Sequence, residues 1–258
     1  MESPQSAVSL VHGFGEHCGR YEKLAAHLNA NRIAVVGVDL RGHGQTDSPR
    51  GVVKSYGHLH GDLKALIQQT SEFYPSLPHF LFGHSMGGGL VLHHGLTIDD
   101  GIDGYLVSAP LIRLKRPVPG IAKVAVRVLR PVLPNGTLPV SVSGKIISTI
   151  PEEQDLYDND PLNHNRLGFG LALGMIEAGQ NTLSAATSWY KPLRLWHSRA
   201  DRINDFEATR QFAEQAKNCQ FTEFEKVQHE MHQDETRLDV HSLISEFVAF
   251  RSAKVASQ

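Results

Sequence analysis

Short β-branched runs, each closed by a Gly-containing turn and followed by a helical pattern, recur along this chain and constrain its fold more than any other feature. A strand that leads into a helix and then into another strand makes a parallel crossover. The pattern therefore predicts an α/β chain on a mainly parallel sheet. Six strands are expected, at Ala7 to Val11, Ile33 to Val38, His79 to Phe82, Tyr105 to Ser108, Leu193 to His197 and Phe221 to Phe224. Helical periodicity marks Tyr21 to Asn29, Leu59 to Phe73, Met86 to Leu96, Phe206 to Lys217 and Val240 to Arg251. The alternation stops after Ser108 and resumes only after Tyr190, a stretch too long for a connection without structure of its own. The chain is read as a core of residues 1–108 and 191–258 carrying an inserted cap at 109–190.

Composition narrows the function classes. With 258 residues, 41% hydrophobic and 20% charged, the chain can bury one large core, and a formal net charge of −2 gives no general attraction for nucleic acid. The two cysteines, Cys18 and Cys219, make no disulfide framework and no metal-ligand spacing, which points to a reducing compartment. Met1 to Leu10 has neither a basic nor an apolar signal region, and no apolar run reaches membrane-spanning length. A cytoplasmic location is expected, with peripheral membrane contact through one element of the cap.

That element is basic. Leu111 to Ile150 holds Arg113, Lys115, Arg116, Lys123, Arg127, Arg130 and Lys145 without one Asp or Glu. At about 100° per residue, Ile121, Val124, Ala125, Val128 and Val132 share one side and Lys123, Arg127 and Arg130 the other. Two readings follow: a solvated charged face over an apolar face packed on the core, or a lipid-facing lid. On the second, the three cations on the outer face would dock weakly on an anionic surface.

Gly83-His84-Ser85-Met86-Gly87 matches G-x-S-x-G directly after one strand and directly before a helix opened by Gly87, Gly88 and Gly89. Three glycines are a poor helix start on propensity alone, so the position implies close packing or strain. In a nucleophile elbow the serine sits on a strained turn, and the glycines two before and two after it let the neighbouring backbone pass. Serine is a weak nucleophile at neutral pH and needs a base whose tautomer is held by a buried acid. In chain order the acid comes next and the histidine last. Asp201, four residues past the Leu193 to His197 strand, is the acid candidate; Asp205 is its rival but reads more simply as a helix cap. His229, five residues past the last strand, is the base, with His232 able to reach a similar place. The oxyanion donors are assigned to the backbone NH groups of Met86 and of Phe14, in the turn His12-Gly13-Phe14-Gly15 after the first strand. No histidine trio has metal spacing, and neither metal nor cofactor is expected.

These motifs resemble the monoacylglycerol lipase and lysophospholipase family of α/β-hydrolases. The resemblance lies in His12-Gly-Phe-Gly-Glu16-His17 with Gly19-Arg20-Tyr21, Asp39-Leu-Arg41-Gly42-His43-Gly44, Gly83-His-Ser-Met-Gly-Gly88, Asp160-Pro161-Leu162 and His229-Glu230, and spans residue 12 to about residue 240. It implies an α/β-hydrolase fold, the triad Ser85, Asp201 and His229, the donors Phe14 and Met86, and a cap that admits one acyl chain. The expected activity is cleavage of carboxylic esters of single-chain lipids, monoacylglycerol or lysophospholipid, through an acyl-enzyme and without a cofactor. A thioesterase or a small-ester carboxylesterase would use the same triad. A non-catalytic binding protein on this fold would be expected to lack a triad residue. The chain departs from the family at His197-Ser198, where His-Gly usually precedes the acid loop. Eleven residues precede His12, where the family places two further strands, so Ile33 to Val38 is expected at a sheet edge. A bare β-branched edge invites cover, by the tail before Ala7, by another segment folded back or by the same strand of a second molecule, and the last, a homodimer, is the favoured expectation.

Overall fold

The computed structural model describes residues 3–255. Its strands are β1 (Ser6–Val11), β2 (Ile33–Gly37), β3 (His79–His84), β4 (Gly104–Ser108), β5 (Thr137–Pro139), β6 (Arg166–Gly168), β7 (Leu193–Ser198) and β8 (Cys219–Phe224). The helices are α1 (Glu22–Ala30), α2 (Tyr56–Phe73), α3 (Met86–Thr97), α4 (Gly120–Leu129), α5 (Gly144–Ile147), α6 (Pro151–Asp158), α7 (Phe169–Ser184), α8 (Phe206–Gln215) and α9 (Arg237–Val255). Six strands form one sheet in the order β2-β1-β3-β4-β7-β8, and every neighbouring pair is parallel. This is the parallel α/β sheet that the strand and helix pattern foretold, in the α/β-hydrolase arrangement that the resemblance implies, with β2 at one edge.

The central strands β1, β3 and β4 are buried on both faces because helices cover both, and successive side chains point to opposite layers. Val11, Leu81, Tyr105, Val107, Leu193 and Leu195 face one layer, which α2, α3 and α8 close with Leu59, Leu63, Leu90, Val91 and Phe212. Val8, Leu10, Phe80, Phe82, Leu106 and Trp196 face the other, closed by Leu24 and Leu28 of α1 and by Val240, Ile244 and Val248 of α9. Each such fully buried side chain contributes about 1.5–3 kcal/mol, which fixes the carboxyl ends of the central strands as one rigid rim.

Between β4 and β7 lie α4 to α7 and the small antiparallel pair β5-β6. This stretch is tied down at Asp160, whose Oδ2 meets His17 Nε2 at 2.8 Å, and at His164, whose amide donates to Gly15 O at 2.8 Å. Gly15 has φ +75°, and a Cβ there would stand 2.4 Å from His164 O, so only glycine permits the contact.

The structure reverses the expected aspect of the basic helix. Ile121, Val124, Val128 and Val132 are 83%, 60%, 67% and 77% exposed, whereas Val126, on the basic side, is buried. Arg130 Nη2 donates to Lys54 O at 2.6 Å and Arg127 Nη2 to Glu177 at 3.1 Å. Val126, on that same side, packs with Phe169 and Leu173 of α7. Periodicity separates the two faces correctly, but it carries no sign for which face is inward; the apolar seat that Phe169 and Leu173 of α7 offer Val126 decides it.

Candidate active site

The loops after four strands, β1, β3, β7 and β8, meet at Ser85. The serine follows β3 and has φ 53° and ψ −115°, a strained conformation for a residue with a Cβ. The strain is held by the backbone: the Ser85 amide donates to Ser108 O at 2.9 Å, and Ser85 O accepts from Gly89 N and Leu111 N at 2.9 and 2.8 Å. Gly83 and Gly87 make the turn feasible. A Cβ on Gly83 would meet Gly87 O at 2.5 Å, and one on Gly87 would meet His12 O and Val11 O at 2.5 Å.

Asp201, in the loop after β7, is 2% exposed and spends both oxygens. Oδ1 accepts from the amides of Ile203 and Asn204 at 2.7 and 3.1 Å. Oδ2 meets His229 Nδ1 at 2.6 Å and His197 Nε2 at 2.8 Å. Burial alone would raise this carboxyl, but the charge on His229 and hydrogen bonds from both histidines hold it well below the usual carboxylate range. An ionised carboxylate only accepts, so His229 carries its proton on Nδ1 and leaves Nε2 as the basic nitrogen. Burial opposes the charging of His229, and Asp201 overcomes it, so the imidazole pKa is raised.

The turn after β1 supplies the remaining wall. His12 Nε2 accepts from Leu40 N at 2.9 Å, so its Nδ1 donates to Gly13 O at 2.7 Å. The Gly13 amide donates to Glu16 Oε1 at 2.6 Å. The Phe14 and Met86 amides donate to no other described residue, and Met86 opens α3, where the first helical NH groups have no partner in the helix. A single pocket is lined by Gly13, Phe14, Glu16, His84, Ser85, Ile203, His229 and Glu230, and by Val142, Ile147 and Tyr157 from the stretch between β4 and β7.

Ser85 and His229 thus share one pocket, with Asp201 behind His229 and Phe14 on its wall. The rivals fall elsewhere. Asp205 caps α8 by accepting from the Glu207 amide at 3.1 Å and pairs with Arg113. His232 is buried, stacks on Tyr21 at 4.7 Å and is not among the hydrogen-bond partners of Asp201. Three groups were given no role by the sequence. His197 supports Asp201; Asn204 Nδ2 donates to Ala109 O at 2.7 Å and lies 3.4 Å from Ser85 Oγ; and Glu16, Arg20 and Glu230 form a buried ionic wall. The signal for the first was His197 itself, the matching half of the His-Gly pair that usually precedes the acid loop. Glu16, His84 and Glu230 bring possible metal-binding atoms within 4.8 Å of one another, but the Arg20 cation already pairs with both carboxylates.

A family model described as Hydrolase_4, serine aminopeptidase S33, matches residues 2–236. Human monoglyceride lipase is 31% identical over 258 residues, covering 97% of this chain and 84% of that protein. A Dictyostelium discoideum abhydrolase domain-containing protein is 31% identical over 252 residues, and the chain, 96% of which is matched, spans 27% of its length. The crystal structure of Paleococcus ferrophilus monoacylglycerol lipase superposes with a TM-score of 0.88 at 30% identity over 96% of each chain. A strained serine after a central strand, a histidine and a buried aspartate on neighbouring loops, and this match over nearly the whole length place the chain in the Hydrolase_4 family of α/β-hydrolases, together with the monoglyceride lipases.

Proposed function

We propose that the chain is a serine hydrolase that cleaves carboxylic esters of single-chain lipids, with monoacylglycerol as its substrate class. The observation that carries the reading is the 2.6 Å contact of His229 Nδ1 with Asp201 Oδ2 behind a pocket that also holds Ser85. The relatives named for monoglyceride hydrolysis support the substrate class.

Ser85 Oγ attacks the ester carbonyl while His229 Nε2 takes its proton. Negative charge grows on the carbonyl oxygen and is met by the NH groups of Phe14 and Met86, which need no reorganisation. His229 then hands the proton to the departing alcohol, leaving an acyl-Ser85 ester. Water attacks that ester with the same histidine as base and releases the fatty acid. Asp201 holds the imidazole tautomer and balances its charge.

Residues 109–190 act as the cap, closing the pocket with Val142, Ile147 and Tyr157. The exposed apolar side of α4 gives the cap a surface for brief contact with a lipid interface, where substrate resides. Among the described residues no helix is long and apolar enough to cross a membrane, which fits a peripheral contact. The β2 edge is available to the same strand of a second copy. Hydrolysis rates across monoacylglycerols, lysophospholipids, acyl-CoA and p-nitrophenyl esters of rising chain length test the reading. Acyl-CoA as the best substrate would replace it with a thioesterase.

A further inference from the structure

Ser198 stands where the family usually has glycine, and it is completely buried at the carboxyl end of β7. A hydroxyl has one proton to give and two lone pairs to offer. Ser198 uses both functions: its Oγ donates to Val227 O at 2.5 Å and accepts from the Ala200 amide at 3.2 Å. Glycine can make neither bond. The backbone at Ser198 has no positive φ, so its conformation does not call for glycine either.

The two partners lie on different loops. Ala200 precedes Asp201, and the same turn is closed by the Asp201 amide, which donates to Ser198 O at 3.2 Å. Val227 comes two residues before His229, in the loop after β8. The β7-β8 ladder ends with the Arg199 amide on Phe224 O at 2.8 Å, and past it the Ser198 hydroxyl carries the pairing three residues further. Arg199 also pairs with Glu223 and Glu225, but at exposed positions where ion pairs contribute little.

The neighbours of His229 are held from another side as well. The Gln228 amide donates to Asp234 Oδ2 at 3.0 Å, which also accepts from the Thr149 amide at 3.0 Å, and the Glu230 amide donates to Ile147 O at 2.8 Å. Those bonds tie the base loop to the stretch between β4 and β7 and not to the loop of the acid. The acid-base contact itself is short, 2.6 Å from His229 Nδ1 to Asp201 Oδ2, and a hydrogen bond weakens steeply as it bends. We propose that Ser198 is a positioning residue for the acid-base pair: its hydroxyl sets the spacing between the Asp201 and His229 loops, and with it the geometry of the bond between them. Ser198 is not among the residues that line the pocket, so it acts through the pair and not on the substrate. This inference deepens the hydrolase reading above and rests on it for its kinetic arm.

The test restores the residue usual in the family. Ser198→Gly, and Ser198→Ala as the smaller change, are compared with the wild type by kinetics on p-nitrophenyl butyrate and by a melting curve. The proton NMR signal of His229 Nδ1–H, identified by its absence in His229→Gln, is followed in the same proteins. Both variants should lose about fivefold in kcat with KM unchanged. The acidic limb of kcat/KM should move to lower pH, because a weaker contact with Asp201 raises the His229 pKa less. Glu16 and Glu230 also act on His229 and the His84 ring stands 4.6 Å away, but none of them bonds Ser198. The Nδ1 proton should shift upfield or broaden through faster exchange with water. A lower melting temperature with kcat, the pH midpoint and the Nδ1 signal all at wild-type values overturns the proposal, and so does an effect confined to KM. If Ser198→Gly fails to fold, Ser198→Ala decides alone. A wild-type protein that cleaves no ester and takes no fluorophosphonate overturns the hydrolase reading; the Nδ1 signal then still decides this inference, supporting it where the signal moves and overturning it where the signal stays.

Discussion

His197 Nε2 donates to Asp201 Oδ2 across 2.8 Å, onto the same oxygen that His229 Nδ1 reaches from the pocket side. The Thr209 hydroxyl, 2.8 Å from His197 Nδ1, donates to it and keeps the His197 proton on Nε2. Asp201 is therefore gripped at four points, two on each oxygen, so its direction toward His229 does not depend on His229 itself. Replacement of His197 by Leu should lower kcat about tenfold with little change in KM, since the acid loses a support and the pocket walls stay. Steady-state kinetics on a p-nitrophenyl ester, with a melting curve to confirm folding, checks this; a purely KM effect would contradict it.

Ser85→Ala should abolish turnover and fluorophosphonate labelling while lipid binding persists. Asp201→Asn should cost about 10⁴ in kcat, by analogy with the triad studied most thoroughly. Asp205→Asn should cost little activity, and since Asn caps helices as well as Asp, its stability loss should stay under about 1 kcal/mol. Labelling retained at another serine, or the reverse order of the two aspartates, would refute the assignment.

The pH dependence follows from His229. Its pKa is raised, so the neutral imidazole that acts as base is depleted by protons at a higher pH than for a free histidine. kcat/KM should rise with pH through a midpoint above about 6.5. The stability that His229 gains from Asp201 has the opposite sign: it is complete below the unfolded pKa and is lost as pH rises through the folded one. Asp201→Asn should shift the rate midpoint down. A pH-rate profile with its acidic limb at or below the free-imidazole value would exclude the coupling.

The outward apolar face of α4 predicts lipid contact that tolerates salt. Ile121→Ser, Val124→Ser and Val128→Ser together should weaken vesicle co-sedimentation by about 3 kcal/mol, roughly a hundredfold, on neutral and anionic vesicles alike. Lys123→Gln, Arg127→Gln and Arg130→Gln together should matter less, because two of these cations are already bound to the protein. The reverse ranking would restore the electrostatic reading.

A second copy pairing along β2 should give a dimer mass by light scattering at micromolar concentration. Val35→Lys on that edge should return a monomer. A wild-type monomer with slow amide exchange along Ile33–Gly37 would show that the edge is protected within one chain.

Local pattern alone determined the sheet and the elbow. Ala7 to Val11, His79 to Phe82 and Leu193 to His197 declare strands because side-chain alternation is a property of the strand itself, and Gly83 and Gly87 declare the turn because no Cβ fits there. Chain order and strand ends then suffice to nominate Ser85, Asp201, His229, Phe14 and Met86. What surrounds them is set by packing. Arg20 and Glu230 meet across 210 positions and Asn204 and Ser85 across 119, because β1, β3, β7 and β8 end on one rim, and no periodicity encodes such a meeting. The aspect of α4 has the same cause: an amphipathic helix specifies two faces, and only the surface beneath it, here Phe169 and Leu173, selects which one turns to solvent.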